Sequence, residues 1–171
     1  MTTFTREAVE ELSAKLGEPE WMREFRLQAF EKYESMPVPT TRDEPWRRTD
    51  IRRFKLDEIG PSLNGDGTAE GLPSYLGEQL TPDATGGILE EVDGTVVKYE
   101  LDPAASEQGI IFCDMHTAVR EHPELVRKHF MTEGVRVDEG KFAALHGAFW
   151  RGGIFLYVPR GVKAPPMHTA L

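Results

Sequence analysis

Ile88-Leu89-Glu90-Glu91-Val92-Asp93-Gly94-Thr95-Val96-Val97-Lys98-Tyr99-Glu100-Leu101 is the stretch on which the fold turns. Two runs rich in β-branched and aromatic residues flank Asp93-Gly94, a dipeptide that supplies the positive φ angles of a type I′ turn. The stretch predicts an antiparallel hairpin. Next, Gly109-Ile110-Ile111-Phe112-Cys113 has the apolar continuity of a buried strand, and Asp114 is placed to cap a helix over roughly 115–121. Pro123 opens another helix through about Met131, with Leu125, Val126, His129 and Phe130 as its apolar face. Phe142, Leu145, His146, Phe149 and Trp150 give Lys141–Trp150 a helical period, and His146 is expected as a hydrogen-bonded core histidine. Gly152-Gly153 breaks that helix. Ile154–Val158 then reads as a strand, turned by Pro159-Arg160-Gly161.

Upstream of the hairpin the pattern is helical. Phe4 and Val9 bracket Thr5 as a hydrophobic staple around an N-cap, and Val9, Leu12 and Leu16 share a face. Gly17 ends that helix, and Pro19 suits the first turn of the next. Met22, Phe25, Ala29, Tyr33 and Met36 form its apolar stripe, with Trp21 and Phe30 beside it and Glu20, Arg23, Glu24, Glu31 and Lys32 opposite. Pro37 and Pro39 stop it. Residues 40–54 set Arg42, Arg47, Arg48, Arg52 and Arg53 around Trp46, Ile51 and Phe54, with Asp43, Glu44 and Asp50 among them. This mixed charge suits the solvated face of a short helix. Residues 55–87 are rich in glycine and proline and predict a loop with a short helix near Leu72–Leu80.

Composition narrows the functional classes. The chain has 171 residues, 39% hydrophobic and 29% charged, which suits a soluble globular protein. Twenty Lys+Arg against 29 Asp+Glu give a net charge of −9, which disfavours non-specific binding to nucleic acid or an anionic membrane. The single cysteine, Cys113, excludes an intrachain disulfide and a four-cysteine cluster site within one chain. No apolar run approaches 18 residues, and no signal-peptide h-region follows Met1, so the cytoplasm is the expected compartment.

The chemistry-bearing residues form no familiar array. His116, His122, His129, His146 and His168 make neither H-x-x-x-H nor H-E-x-x-H. His122 and His129 are seven apart, but Pro123 interrupts a shared helix. Cys113 adjoins Asp114, whose charge opposes a thiolate, so it reads as a structural cysteine. Gly65-Asp66-Gly67 is followed by no G-K-[ST] and is not a phosphate loop. Two functional alternatives stand beside a non-catalytic reading: an independent RNA-binding module using the Arg47–Arg53 cluster, and a small metalloprotein or thiol enzyme using Cys113.

Four stretches in order carry a resemblance. They are Gly17-Glu18-Pro19-Glu20-Trp21-Met22-Arg23-Glu24-Phe25-Arg26-Leu27; Glu44-Pro45-Trp46-Arg47-Arg48-Thr49-Asp50-Ile51; Gly109–Asp114 running to Glu121-His122-Pro123-Glu124-Leu125-Val126; and Lys141-Phe142-Ala143-Ala144-Leu145 with Trp150 and Gly152–Val162. Together they resemble the N-terminal region of the SufB/SufD family, the scaffold subunits of the Suf iron–sulfur cluster assembly system. The first stretch and Phe112-Cys113-Asp114 also resemble SufB, whereas the Trp46–Asp50 block followed by Phe54 resembles SufD, the favoured branch.

The residue patterns predict an α+β fold, with an N-terminal helical pair, an antiparallel hairpin and a mixed strand–helix region, and the resemblance implies that it leads into the first turn of a parallel β-helix. The implied division is an N-terminal domain over 1–150 (helical 5–54, loop-rich 55–87, α+β 88–150), then the start of a truncated β-helix core over 151–171. The implied function is that of a non-catalytic scaffold subunit acting with the SufB/SufD paralogue and the SufC ATPase. No catalytic, cofactor-binding or metal residue is carried over, because the family's cluster-building and SufC-docking regions lie further along the chain. No nucleic-acid or membrane partner is expected. Val162–Leu171 reads as an unfinished strand of something longer, and an unpaired edge over 154–171 is expected to fray or self-associate.

Overall fold

The computed structural model describes residues 3–61, 63 and 85–170. The helix expected near Leu72–Leu80 lies outside the described residues. In chain order the elements are α1 (Arg6–Lys15), α2 (Glu20–Ser35), a 3₁₀ turn (Glu44–Trp46), β1 (Gly87–Val92), β2 (Thr95–Leu101), α3 (Pro103–Glu107), β3 (Ile111–Asp114), α4 (Met115–Glu121), α5 (Pro123–His129), α6 (Lys141–Phe149), β4 (Ile154–Tyr157) and β5 (Met167–Ala170). They form two compact units, one of residues 1–63 and 123–150, the other of 64–122 and 151–171.

The first unit is helical. The Thr5 hydroxyl accepts from the Ala8 amide at 3.2 Å and starts α1. Gly17, at φ +60°, ends it in the left-handed region, and the Glu18 amide donates back to the Ser13 carbonyl. Pro19 takes the N-cap position of α2, one place before the expected first turn. The core joins Phe4, Val9, Leu27, Ala29, Phe30, Tyr33, Ala144 and Ala148. Gly147 lets α6 lie close on α2, since a Cβ there would sit 3.1 Å from the Ala29 Cβ and 2.8 Å from Val137 Cγ1.

That close approach corrects the expected face of α6. Its buried line is Ala144, Gly147 and Ala148, and His146 is exposed rather than a core histidine. Small residues face the neighbouring helix because only they permit the spacing. On α5, Val126 is buried but His129 is exposed, and the helix stops at His129 rather than near Met131, which adopts φ 49°. On α2, Phe25 and Met36 are half-buried, while Met22, Leu27, Ala29, Phe30 and Tyr33 are buried. The helix expected within 40–54 is reduced to the 3₁₀ turn. No apolar stripe continues past Trp46, and the Trp46 and Phe54 rings instead stand 5.3 and 6.0 Å from the Phe142 ring.

Arg26 is also wholly buried on α2. Its guanidinium makes a two-pronged pair with Glu18, both contacts at 2.7 Å, and donates to the Ala148 carbonyl at 3.0 Å. Its charged end lies 4.5 Å from the centre of the Trp150 ring.

The second unit holds the strands. β1 pairs with β2 antiparallel and with β5 parallel, giving the order β2-β1-β5, and β3 pairs with β4 antiparallel. Asp93 (φ 49°) and Gly94 (φ 80°) make the expected turn. A bulge falls between Glu90 and Glu91. The expectation of an unpaired edge over 154–171 is corrected: β4 lies against β3, and Met167–Ala170 runs beside Gly87–Glu90. The mixed helices and strands agree with the α+β reading, whereas no coil of a parallel β-helix is formed among the described residues.

Gly152 and Gly153 do more than end a helix. The Glu91 carboxylate accepts from the Gly153 amide at 3.1 Å, and a Cβ on Gly152 would overlap Glu91 Oε1 and stand 3.0 Å from the Gly94 Cα. Only a residue without a side chain fits against the hairpin turn.

Arg26→Met should cost about 3–5 kcal/mol, because it leaves the Glu18 carboxylate buried without its cation. Urea denaturation reads this directly. Adding Glu18→Gln to that variant should restore part of the loss.

Candidate functional site

The second unit contains a half-open cavity of about 530 Å³. Leu89 of β1, Val96 and Tyr99 of β2, and Phe112 and Cys113 of β3 supply apolar and aromatic walls. Asp114, at the junction of β3 and α4, and Glu121, at the end of α4, supply carboxylates. Strand alternation places Leu89 and Tyr99 on one face, since the two residues are register partners. The Tyr99 hydroxyl donates to the Phe112 carbonyl at 2.9 Å and ties β2 to β3. Asp114 Oδ1 accepts from the Thr117 amide at 2.9 Å, so the expected cap of α4 is present.

Cys113 is buried at the end of β3. Burial first, then the Asp114 and Glu121 carboxylates, pushes its thiol up from an ordinary 9.0 to about 11. The same carboxylates, after burial and Cys113 itself, raise the Tyr99 hydroxyl. A group held this firmly as a thiol is a poor nucleophile at neutral pH. Burial also raises the Glu91 carboxyl, against the lowering by the Gly153 amide.

The histidines are dispersed. His116 is buried with Nε2 against the Arg151 carbonyl. His122 stacks on Phe155 with 6.4 Å between ring centres and also lines the cavity. His129 and His146 are exposed, and His168 sits in β5 opposite Ile88. Among the described residues no group of three or more His, Cys, Asp or Glu side chains could hold a metal ion. None of their helices is long and apolar enough to cross a membrane. The Arg47–Arg53 cluster is exposed, with Arg47 3.7 Å from Glu44 and Arg52 2.7 Å from Asp50.

Sequence reasoning missed two features. The Arg26–Glu18 pair had a signal, because Arg26 stands four residues from both Met22 and Phe30 and so falls on their apolar face. The meeting of Tyr99, Cys113 and His122 at one cavity had none, because it depends on how separate strands pack.

Cys113 should resist iodoacetamide at pH 8 in the folded chain and react readily in urea. Its raised pKa also fixes a sign. Below about pH 9 both states carry the thiol. From there toward pH 11 the unfolded chain ionises first, so stability falls as pH rises. Cys113→Ala should flatten that part of a stability–pH curve measured by denaturant titration.

Comparison with known proteins bears on the whole region. The family model for the SufBD protein N-terminal region matches residues 5–166. The iron-sulfur cluster assembly protein SufD of Bacillus subtilis (strain 168) is 37% identical over 161 residues, covering 92% of this chain and 36% of that protein. SufB of the same organism is 32% identical over 172 residues, covering 94% and 36%. A SufBD family protein of Staphylococcus haemolyticus is 33% identical over 172 residues, with the same coverage of 94% and 36%. The chain thus spans about a third of the length of these relatives. With the matched helices, hairpin and cavity walls all lying inside that region, the chain belongs to the SufB/SufD family of iron–sulfur cluster assembly proteins, of which it represents the N-terminal region.

Proposed function

We propose that this chain is the N-terminal part of a SufD-like, non-catalytic scaffold subunit that works in the cytoplasm with SufB and the SufC ATPase. The observation that carries the branch is the identity of 37% to SufD against 32% to SufB in the same organism. The fully buried Arg26–Glu18 pair and the firmly protonated Cys113 suit a part that holds position rather than one that transfers sulfur. On this reading, the polypeptide beyond Leu171 continues as a parallel β-helix, and the assembly chemistry is done there and on the partners. ATP hydrolysis belongs to SufC.

The test is co-expression of the affinity-tagged full-length protein with untagged SufB, SufC and a SufD paralogue, followed by purification on that tag. A stable complex of the tagged protein with SufB and SufC is the expected result. Capture of a SufD paralogue in place of SufB would assign the chain to the SufB branch. Recovery of neither partner would overturn the proposal. The isolated 171-residue chain should hold no cluster after anaerobic reconstitution with iron and sulfide, because one cysteine supplies one of the usual four thiolates. A chromophore with stoichiometric iron that survives desalting and is lost in Cys113→Ser would contradict this.

A further inference from the structure

The cavity of the second unit has properties that a purely positional role does not use. Its floor is apolar, built from the fully buried Leu89 and Phe112. Its wall includes Val96 and Tyr99, which are 38% and 49% exposed, so two large apolar side chains open onto the same space. Its volume of about 530 Å³ falls within the range of small-molecule sites.

The charge around it is one-sided. Among the described residues Asp114 and Glu121 line the cavity and no lysine or arginine does. Asp114 spends one carboxylate oxygen on the Thr117 amide. Glu121 is exposed and has no ion-pair partner among the described residues. His122, the remaining titratable group with Tyr99 and Cys113, stacks on Phe155. The upward push that the two carboxylates exert on both Cys113 and Tyr99 shows that their field reaches the walls.

We propose that this cavity binds a small amphipathic organic cation, an aromatic or alkyl body carrying an ammonium or guanidinium head. The body occupies the space above Leu89 and Phe112. The head sits toward Asp114 and Glu121, where it neutralises charge that an uncharged ligand would leave unpaired and an anion would meet as repulsion. The face of the Tyr99 ring adds a cation–π contact of the kind aromatic walls offer to organic cations. This site is independent of the scaffold role and of the SufB or SufD branch.

The experiment is an NMR titration of the ¹⁵N-labelled 171-residue chain with 4-phenylbutylamine. Titrations with 4-phenylbutyrate and 4-phenylbutanol, which share the body, serve as controls. Saturable shifts confined to β2, β3 and α4 are expected, with the amine binding about tenfold or more tighter than the acid and measurably tighter than the alcohol. Glu121→Gln, an exposed change that leaves the packing intact, should weaken the amine about two- to fivefold. Val96→Arg, which sets a cation at the wall, should weaken it further. Acid or alcohol binding as tightly as the amine would overturn the proposal, as would shifts mapping elsewhere or none up to the solubility limit. Should Val96→Arg fail to fold, Glu121→Gln with the three-ligand comparison decides the matter alone.

Discussion

The helical unit depends on one buried ion pair. Glu18 and Arg26 have side chains that are 1% and 0% exposed, and neither charge would survive there alone. Their two-pronged contact fixes the turn between α1 and α2, because Glu18 lies in that turn and Arg26 two turns into α2. The remaining guanidinium donor goes to the Ala148 carbonyl near the end of α6, and Trp150 covers the plane. One side chain thereby connects segments more than a hundred residues apart. The geometry demands much of its surroundings. Gly17 must reverse the chain, Gly147 must admit α6 to contact distance, and the aromatic cluster of Phe4, Phe30, Tyr33 and Phe149 must close the other side.

The strand unit is organised around absent side chains. The hairpin turn at Asp93-Gly94 and the segment Arg151–Gly153 approach so closely that Gly94 and Gly152 leave no room for a Cβ. The buried Glu91 carboxylate meets the Gly153 amide at that contact, beside the bulge at which the β1–β2 register skips Val97. The chain then runs into β4 and β5, each on a strand laid down earlier. The long segment between 122 and 151 is spent in the other unit, so this unit closes only when its last residues return. Such long-range pairing carries a loop-closure cost that local contacts do not.

Membership in the SufB/SufD family and the properties of the cavity occupy different levels. The first rests on likeness across residues 5–166. The second rests on where Val96, Tyr99, Cys113, Asp114 and Glu121 come together. A fold shared by a family can carry a local site that the common role does not require.

Features that rest on neighbouring residues were legible in the sequence. Thr5 capping α1, Gly17 ending it, the Asp93-Gly94 turn and Asp114 capping α4 each involve partners within a few positions, so residue type alone specifies them. The α+β class followed from these signals, and the family from the order of four stretches. The burial of Arg26, the exposure of His146 and the small-residue face of α6 were decided by helix packing, which ranks side chains by fit rather than by hydrophobicity. The parallel pairing of β1 with β5 and the walls of the cavity were decided likewise. They join residues tens of positions apart, and nothing in the local chemistry of Met167–Ala170 or Tyr99 names its partner. Only the tertiary structure fixes such contacts, because their free energy exists once distant segments have already been brought together.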